Sequence, residues 1–234
     1  MDNILNLRGL TRSTPNSNGQ ITTFLNHYSY LLARQTPDLF REFDTIHCDG
    51  IVLCLFLRLA GIRKIRMSFD MTSIAPQVFS SATNDNLSIY LIGGELGIAE
   101  RACQILTQDY PNLRIAGIRH GFFSSPHARA QALEEIAQKK PGIVIASMGT
   151  PFQEQFLVDL KNTGWRGDGY TSGGFFHQTA KAGLKYYPAW INRFNLRWAF
   201  RIKDEPKLLK RYTIDFVRFL FLFLYDAFLY KIRK

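Results

Sequence analysis

The sequence predicts an α/β fold in which a Rossmann-like, mostly parallel sheet is flanked by helices and followed by a helical, membrane-associating C-terminal appendage. Short apolar, β-branched runs alternate along the chain with helical stretches. That alternation is typical of right-handed crossovers between parallel strands. Polar or glycine-rich turns follow several of the runs, at the sheet edge where open α/β folds bind ligands. A chain of 234 residues is long enough to bury one large core.

The strands and helices follow from hydrophobic periodicity and from turn residues. Strands are predicted at 21–25, 45–48, 87–92, 113–117 and 142–146, with a further short strand after residue 169. Helices are predicted at 28–34, 51–60, 98–110 and 126–139, and from residue 151 onward. The apolar run 51–60 is too short to span a bilayer, which takes roughly 20 residues. We therefore predict it to be a buried helix packed on the sheet.

The segment after strand 142–146 has the composition of a turn and a helix start: Gly149, Thr150, Pro151, Gln153 and Glu154. Thr150 is a favourable N-cap, and Pro151 loses no hydrogen bond at a first helical position. Gln153 and Glu154 then lie at the carboxyl edge of a central strand. They either contact a ligand there or simply solvate the helix start, and the segment alone does not decide between these two interpretations.

Three polar residues follow other strands. Asn26 is a candidate ligand contact or the cap of helix 28–34. Asp49 is a helix cap or a general base, and the apolar helix behind it favours a raised pKa. Arg66, in a basic cluster at 63–66, either pairs with phosphates or belongs to a solvated face.

Glycine-rich turns mark further ligand contacts. Gly93 and Gly94 separate a strand from helix 98–110, an arrangement that lets backbone amides approach a diphosphate. The turn resembles a dinucleotide fingerprint without matching Gly-x-Gly-x-x-Gly. Gly121 lies in the exit loop of the next strand. Gly173 and Gly174 indicate either close backbone approach to a ligand or a tight structural turn.

Composition restricts the compartment and the cofactors. The three cysteines form no Cys-x-x-Cys pair and suit a reducing compartment. The N-terminal sequence lacks the basic flank and long apolar region of a cleaved signal peptide, so we expect a cytoplasmic protein. The five histidines form no metal-ligand cluster, and we expect neither a metal nor another cofactor.

The basic charge is concentrated at the C-terminus. The formal net charge is +10, and residues 193–234 contain 11 Lys or Arg against 4 acidic residues, a net of +7. Within them, the aromatic, apolar run 216–230 is flanked by basic residues: Lys207, Lys210, Arg211, Lys231, Arg233 and Lys234. This pattern favours an anionic membrane surface over nucleic acid. Packing in the core or in a dimer interface is the alternative, and a homo-oligomer stays open.

Several motifs together resemble the WecG/TagA/CpsF family of bacterial glycosyltransferases. Gly-Thr-Pro-Phe-Gln-Glu at 149–154 is similar to the family's Gly-x-Pro-x-Gln-Glu motif. Other pieces occur in the family order: Asn26, Asp49-Gly50, Gly93-Gly94, His120-Gly121-Phe122-Phe123, Gly173-Gly174, Tyr187-Pro188-Ala189-Trp190 and the segment 196–212. The resemblance spans roughly residues 20–212, and so many ordered motifs make chance an unconvincing explanation.

The resemblance implies transfer of a sugar from a UDP-sugar to a polyprenyl-diphosphate-linked saccharide at the inner face of the cell membrane, during cell-surface polysaccharide synthesis. It implies a metal-independent, inverting enzyme in which Asp49 is the base and Gln153 is the motif glutamine. The departing UDP is then stabilised by the glycine turns together with Arg66, Arg201 or Arg211. The chain departs from the family pattern at three places: Arg66 is one position out of register, Arg197 replaces a glutamate, and His177 replaces an aspartate.

Residues 1–190 are thus expected to form the catalytic core, and 191–234 an appendage that associates with the membrane and completes the active site. Two other interpretations remain open. One is another nucleotide-binding α/β enzyme, which would require a better glycine fingerprint. The other is a non-catalytic membrane adaptor, which would not require Asp49, Gln153 and paired-glycine turns all at strand ends.

Overall fold

The sheet is parallel throughout and is the centre of the molecule. The computed structural model describes residues 3–11, 19–193 and 196–232, and within these six strands pair in the order β2-β1-β6-β5-β3-β4. They are β1 Ile21–Leu25, β2 Thr45–Cys48, β3 Ser88–Gly93, β4 Arg114–Arg119, β5 Ile143–Ser147 and β6 Asp168–Thr171. The chain forms β1 and β2 in one half of the sheet and then crosses to the other half to form β3 and β4. Strands β5 and β6 fill the space between the two halves. The predicted Rossmann-like α/β class is confirmed.

Helices cover both faces of this sheet. They are α1 Arg8–Thr11, α2 His27–Gln35, α3 Pro37–Arg41, α4 Ile51–Leu59, α5 Ala75–Asn84, α6 Ile98–Asp109, α7 Pro126–Lys139, α8 Phe152–Asn162, α9 Phe175–Ala182, α10 Ala189–Arg193, α11 Arg197–Asp204, α12 Leu209–Tyr212 and α13 Ile214–Ile232, with short 3-10 turns at Ile4–Asn6 and Pro206–Leu208. Alternate residues of β5 enter two hydrophobic clusters, Val144 and Ala146 on one face and Ile143 and Ile145 on the other. The strand is therefore buried on both faces, as its continuous apolar run predicts.

Two local predictions were wrong. The run 51–60 does form a helix, but α4 packs on the sheet only through one stripe, while Leu55 and Leu59 are 55% and 69% exposed. Helix α8 begins at Phe152 rather than at Pro151, and Thr150 does not cap it. The Thr150 hydroxyl instead donates to the Glu154 carboxylate at 3.2 Å, so it is not aimed at a backbone amide.

The last helix packs against the core through a single face. Phe219 and Phe223 of α13 are buried against Tyr30 of α2 and Phe56 of α4, with ring centroids 5.4 Å apart in each of the four pairs. The alternative of a helix packed in the core is thus confirmed for this face. The proposed boundary at residue 190 stays a prediction.

The opposite face of α13 is exposed and apolar. It presents Ile214, Val217, Phe221, Leu224, Tyr225, Phe228 and Ile232. Among the described residues no helix combines the length and the apolar character that crossing a membrane requires. Arg233 and Lys234, which belong to the predicted basic flank, lie outside the described residues.

The acid inside α13 anchors this helix to the rest of the protein. Asp226 is buried and accepts hydrogen bonds from the Tyr30 hydroxyl at 2.8 Å and from Arg34 Nε at 2.9 Å. Its backbone carbonyl accepts a further bond from the Asn3 side chain. These contacts fix the rotation of α13 about its axis and thereby decide which side chains face outward.

Candidate active site

A cavity of about 1050 Å³ lies at the carboxyl edge of the sheet. The turn after every strand contributes to its wall: Asn26, Asp49, Gly94, Gly121, Gly149 and Gly173 follow β1 to β6 in chain order. Parallel strands end at one edge, so residues far apart in sequence meet there. The structure therefore brings these six predicted residues together around one cavity, and their roles there stay predictions.

The floor of the cavity depends on two glycines after β3. Gly93 has φ +148°, and a Cβ built on it would lie 2.3 Å from the Ser147 carbonyl oxygen at the end of β5. Gly94 has φ +68°, and its Cβ would lie 2.7 Å from Ile98 Cγ2 in the first turn of α6. No side chain fits at either position. The absence of one lets the backbone between β3 and α6 pass close to the end of β5 and to the first turn of α6. Gly94 lines the cavity, whereas Gly93, also predicted to contact a ligand, does not.

Asp49 presents an uncommitted carboxylate to the cavity. Its side chain accepts no hydrogen bond from any described residue, and the N-cap position of α4 is taken by Gly50. The helix-cap interpretation of Asp49 is thus wrong. Burial raises the pKa of Asp49 above its ordinary value, and the Arg66 guanidinium opposes that rise. A carboxylate of this kind is suited to accept a proton.

The three arginines predicted to meet a diphosphate all line the cavity. Arg66 Nε donates to the Asp49 backbone carbonyl at 3.1 Å. Arg201 Nη2 donates to Glu205 at 2.7 Å, and its Nε is buried with no hydrogen-bond partner among the described residues. The Arg211 guanidinium stacks on the Tyr28 ring, 4.2 Å from its centroid. The C-terminal segment thus contributes two of these three arginines.

Asn26, the remaining polar residue at a strand end, both lines the cavity and caps α2. Its Oδ1 accepts hydrogen bonds from the amides of Tyr28 at 2.9 Å and Ser29 at 3.0 Å, and the Ser29 side chain completes a capping box. The cap interpretation is confirmed. Its side-chain amide group still faces the cavity, so the role in ligand binding stays a prediction.

Gln153 and Glu154 form a buried network instead of solvating a helix start. They are 3% and 0% exposed. Gln153 Nε2 donates to Glu154 Oε1 at 3.1 Å, and Gln153 Oε1 accepts from the Gly173 amide at 3.1 Å. Thr23 donates to the same Glu154 oxygen at 2.9 Å, and burial raises the pKa of Glu154. Gln153 reaches the cavity, whereas Glu154 and Pro151 do not line it.

Sequence reasoning missed one ion pair at the cavity wall. Arg197 Nη1 contacts Asp70 Oδ2 at 2.6 Å, and the Arg197 guanidinium lies 4.6 Å from the centroid of the Tyr187 ring. The departures from the family pattern marked Arg197, and Asp70 follows the basic cluster, but nothing in the sequence pairs two residues so far apart. Gly174 and His177 also line the cavity, as do Glu205, Trp198 and Tyr212.

Within the part of the chain that the structure describes, no three His, Cys, Asp or Glu side chains gather in a way that could hold a metal ion. The predicted independence of metals and cofactors stays a prediction.

A carboxylate beside several arginines, at the carboxyl edge of a parallel sheet, is typical of α/β enzymes that act on anionic, phosphate-containing substrates. The model of the Glycosyl transferase WecG/TagA/CpsF family matches residues 5–233, so the chain belongs to this family. It is a glycosyltransferase, as the ordered motifs predict.

Curated relatives agree with this assignment. The chain is 35% identical over 205 residues to a UDP-Gal:alpha-D-GlcNAc-diphosphoundecaprenol beta-1,4-galactosyltransferase of Shigella boydii. The aligned region covers 87% of this chain and 85% of the relative. It is 25% identical over 174 residues to an N-acetylglucosaminyldiphosphoundecaprenol N-acetyl-beta-D-mannosaminyltransferase of Bacillus subtilis strain 168, with coverage of 74% and 66%. A Bacillus spizizenii enzyme of the same description is 21% identical over 168 residues, with coverage of 72% and 63%.

Proposed function

We propose that this enzyme transfers galactose from UDP-galactose to an N-acetylglucosamine linked through diphosphate to a polyprenol, with inversion at the anomeric carbon. The observation that carries the proposal is the unpaired Asp49 carboxylate among cavity arginines in a chain 35% identical to a galactosyltransferase of that description. The product belongs to cell-surface polysaccharide synthesis. A β-linked product from an α-linked sugar nucleotide requires a single displacement, which takes one base and one stabilised leaving group.

The base is Asp49. Its carboxylate takes the proton of the acceptor hydroxyl as that oxygen attacks the anomeric carbon of the donor. The bond from the anomeric carbon to the diphosphate oxygen breaks, and its electron pair leaves with UDP. A raised pKa strengthens the carboxylate as a base, because proton affinity in the transition state rises with pKa.

The leaving group is stabilised by groups of two kinds. The Gly94 amide itself donates to the Ser147 carbonyl, but the turn it opens leads to Gly97, the N-cap of α6, where the helix dipole favours negative charge. Arg66, Arg201 and Arg211 add positive charge around the cavity, and the unpartnered Nε of Arg201 is a donor that a phosphate oxygen satisfies. These contacts allow a UDP leaving group to be neutralised without a metal.

Gln153 and Glu154 act by holding a neighbouring turn of the backbone in place. The side-chain amide of Gln153 is engaged at both ends, by Glu154 and by the Gly173 amide. Gln153 thereby holds the Gly173-Gly174 turn, and a Cβ built on Gly174 would lie only 3.5 Å from the Arg201 guanidinium. We propose that this network fixes the turn against which the donor and Arg201 rest.

The acceptor lipid sets the location of the enzyme at the inner face of the cell membrane. The outer face of α13 is apolar, and α4 beside it exposes Ile51, Leu55 and Leu59 in one stripe. Exposed basic residues Arg58, Arg218 and Lys231 accompany these apolar side chains. A surface that is both apolar and basic suits the interface of an anionic bilayer. Ile51 also lines the cavity, so the proposed membrane surface continues into the active site.

The test of the reaction is transfer to a synthetic polyprenyl-diphosphate N-acetylglucosamine acceptor, with the product identified by mass spectrometry. UDP-galactose, UDP-glucose, UDP-N-acetylglucosamine and UDP-N-acetylmannosamine are offered separately. Addition of one hexose from UDP-galactose, with slower transfer from the other donors, supports the proposal. Preferred transfer of N-acetylmannosamine, or no transfer from any donor, overturns it.

The test of location is flotation with vesicles of anionic or neutral lipid. L55S and F221S should each reduce binding to anionic vesicles, because each removes an exposed apolar side chain from α4 or α13. L96S is the matched control, since Leu96 is 81% exposed on the turn before α6. Equal binding of all three variants argues against the membrane surface, and concentration-dependent self-association abolished by F221S points to a second copy of the chain on it.

A further inference from the structure

The ion pair that joins α11 to the segment after α4 bears on the proposed base, and the following inference rests on the proposed function of Asp49. Asp70 Oδ2 lies 2.6 Å from Arg197 Nη1 and 3.8 Å from Arg66 Nη2. Both guanidinium groups line the same cavity as Asp49. Asp70 therefore engages two of the cations nearest the proposed base.

The carboxylate of Asp70 is fully engaged. Oδ1 accepts from the Thr72 amide at 2.8 Å and from the Thr72 hydroxyl at 2.6 Å, while Oδ2 also accepts from the Ser68 hydroxyl. Burial alone would raise the pKa of Asp70, but Arg197 and the hydrogen bonds from Ser68 and Thr72 bring it below its ordinary value. Asp70 thus stays ionised, and its side chain cannot turn away without leaving Arg197 unpaired.

The contrast with Asp49 is chemical as well as geometric. The Asp49 side chain accepts no hydrogen bond from a described residue, although cationic side chains surround it. Arg66 meets Asp49 only through the backbone carbonyl, at 3.1 Å, and places its Nη2 on Ser68 and near Asp70. The arginines that would otherwise pair with the base are oriented toward a second acid.

We propose that Asp70 is a positioning residue whose carboxylate holds Arg66 and Arg197 and so keeps both cations from pairing with the Asp49 carboxylate. Asp49 is then left free to take the acceptor proton. A base paired directly with a guanidinium would be a weaker proton acceptor, because an opposite charge within about 4–6 Å favours the charged form of a carboxylate.

The ionisation of Asp49 depends on all the groups around it. The titratable and charged side chains that act on it, or on which it acts, are Cys48, Cys54, Arg66, Asp70, Tyr187, Arg197, Arg201 and Tyr212. Of these, Asp70 is the other carboxylate. Its negative charge raises the pKa of Asp49, whereas Arg66, Arg197 and Arg201 lower it. Removal of Asp70 and removal of Arg197 are therefore expected to act in opposite directions.

The experiment is a carboxyl carbon-13 NMR titration of the full chain labelled at aspartate, in which the Asp49 signal is identified by its loss in D49N. In D70N the titration of Asp49 should move to lower pH by about one unit. In R197Q it should move to higher pH. The shift caused by D70N should be smaller in the R197Q background, because the cation released by D70N is then missing. D109N, which removes an exposed carboxylate at the far end of α6, should leave the Asp49 titration unchanged.

If Asp70 had only a structural role, the Asp49 titration would not respond to D70N and R197Q in this way. An Asp49 titration that does not move in D70N, or one that moves in the same direction in D70N and R197Q, overturns the inference. If D70N does not fold, R197Q still decides through the size of its shift: removal of a cation held on Asp70 should raise the Asp49 titration by less than about one pH unit, whereas a larger rise would show that Arg197 pairs with Asp49 and would overturn the inference. The titration needs no transfer activity, so absence of galactose transfer counts against the proposed function and not against this inference. Where transfer is measurable, the acidic limb of kcat/KM against pH should follow the same shifts.

Discussion

Replacing Asp226 by alanine removes the buried acid that anchors α13 to α2. In the wild type this carboxylate accepts hydrogen bonds from Tyr30 at 2.8 Å and from Arg34 at 2.9 Å. After the substitution, the Tyr30 hydroxyl has no acceptor in a site where the residue is 0% exposed. The Arg34 guanidinium also loses its partner. The variant thus tests whether the C-terminal helix belongs to the cooperative core.

The expected loss in the free energy of unfolding follows from how deeply the ion pair between Arg34 and Asp226 is buried. Removing one partner of a buried ion pair costs about 3–5 kcal/mol, because the other charge stays buried without compensation. The Arg34 side chain is 23% exposed and the Asp226 side chain 5%, so the guanidinium regains part of its hydration. We therefore expect D226A to lower the free energy of unfolding by about 3 kcal/mol, at the lower end of that range.

The measurement is urea unfolding followed by far-UV circular dichroism. Y30F should cost less, about 1–2 kcal/mol, because Asp226 keeps Arg34 when only the hydroxyl is lost. R218A is the control on the exposed side of the same helix, and it should change the free energy of unfolding by less than about 0.5 kcal/mol.

Two results would refute the reasoning. If D226A unfolds at the same urea concentration as R218A, the buried cluster does not anchor the helix. If Y30F is as destabilised as D226A, the hydrogen bond from the Tyr30 hydroxyl, and not the ion pair with Arg34, accounts for the stabilisation.

Three further predictions concern the site. G94A should weaken UDP binding at least tenfold by calorimetry, because φ is +68° and the new Cβ would lie 2.7 Å from Ile98 Cγ2; unchanged affinity would contradict the role of this turn. E154A should reduce kcat more than E154Q, since glutamine keeps an oxygen that accepts from Gln153 and Thr23, and equal kcat values would remove the network from the mechanism. Incubation with EDTA should leave the transfer rate unchanged; restoration of a lost rate by added Mg²⁺ would show that a metal is required.

The strands and the location of the site were predictable because both depend on local sequence. The apolar run of β5 has no helical spacing, and parallel topology then brings the turns after all six strands to one edge. Asp49 and Gly94 lie 45 positions apart in the sequence, and they could thus be assigned to the same cavity.

Other features depended on tertiary contacts that no local pattern contains. The pairing of Arg197 with Asp70 joins residues separated by 127 positions, and that of Asp226 with Tyr30 by 196. The apolar run of α4 indicated burial, but only its packing on the sheet and against Phe219 and Phe223 of α13 decided which side of the helix is covered. The burial of Glu154 was not visible in the local sequence, because one of its three donors, Thr23, lies 131 positions away.

The central claim is that Asp49 is the base of a sugar transfer, and D49N tests it most directly. Asparagine keeps the shape of the side chain but cannot take a proton, so galactose transfer to the lipid-linked acceptor should fall by at least 10²-fold. UDP affinity, measured by calorimetry on the same preparation, should stay within a fewfold of the wild type. Transfer by D49N at the wild-type rate would contradict the account, because another group would then have to accept the proton.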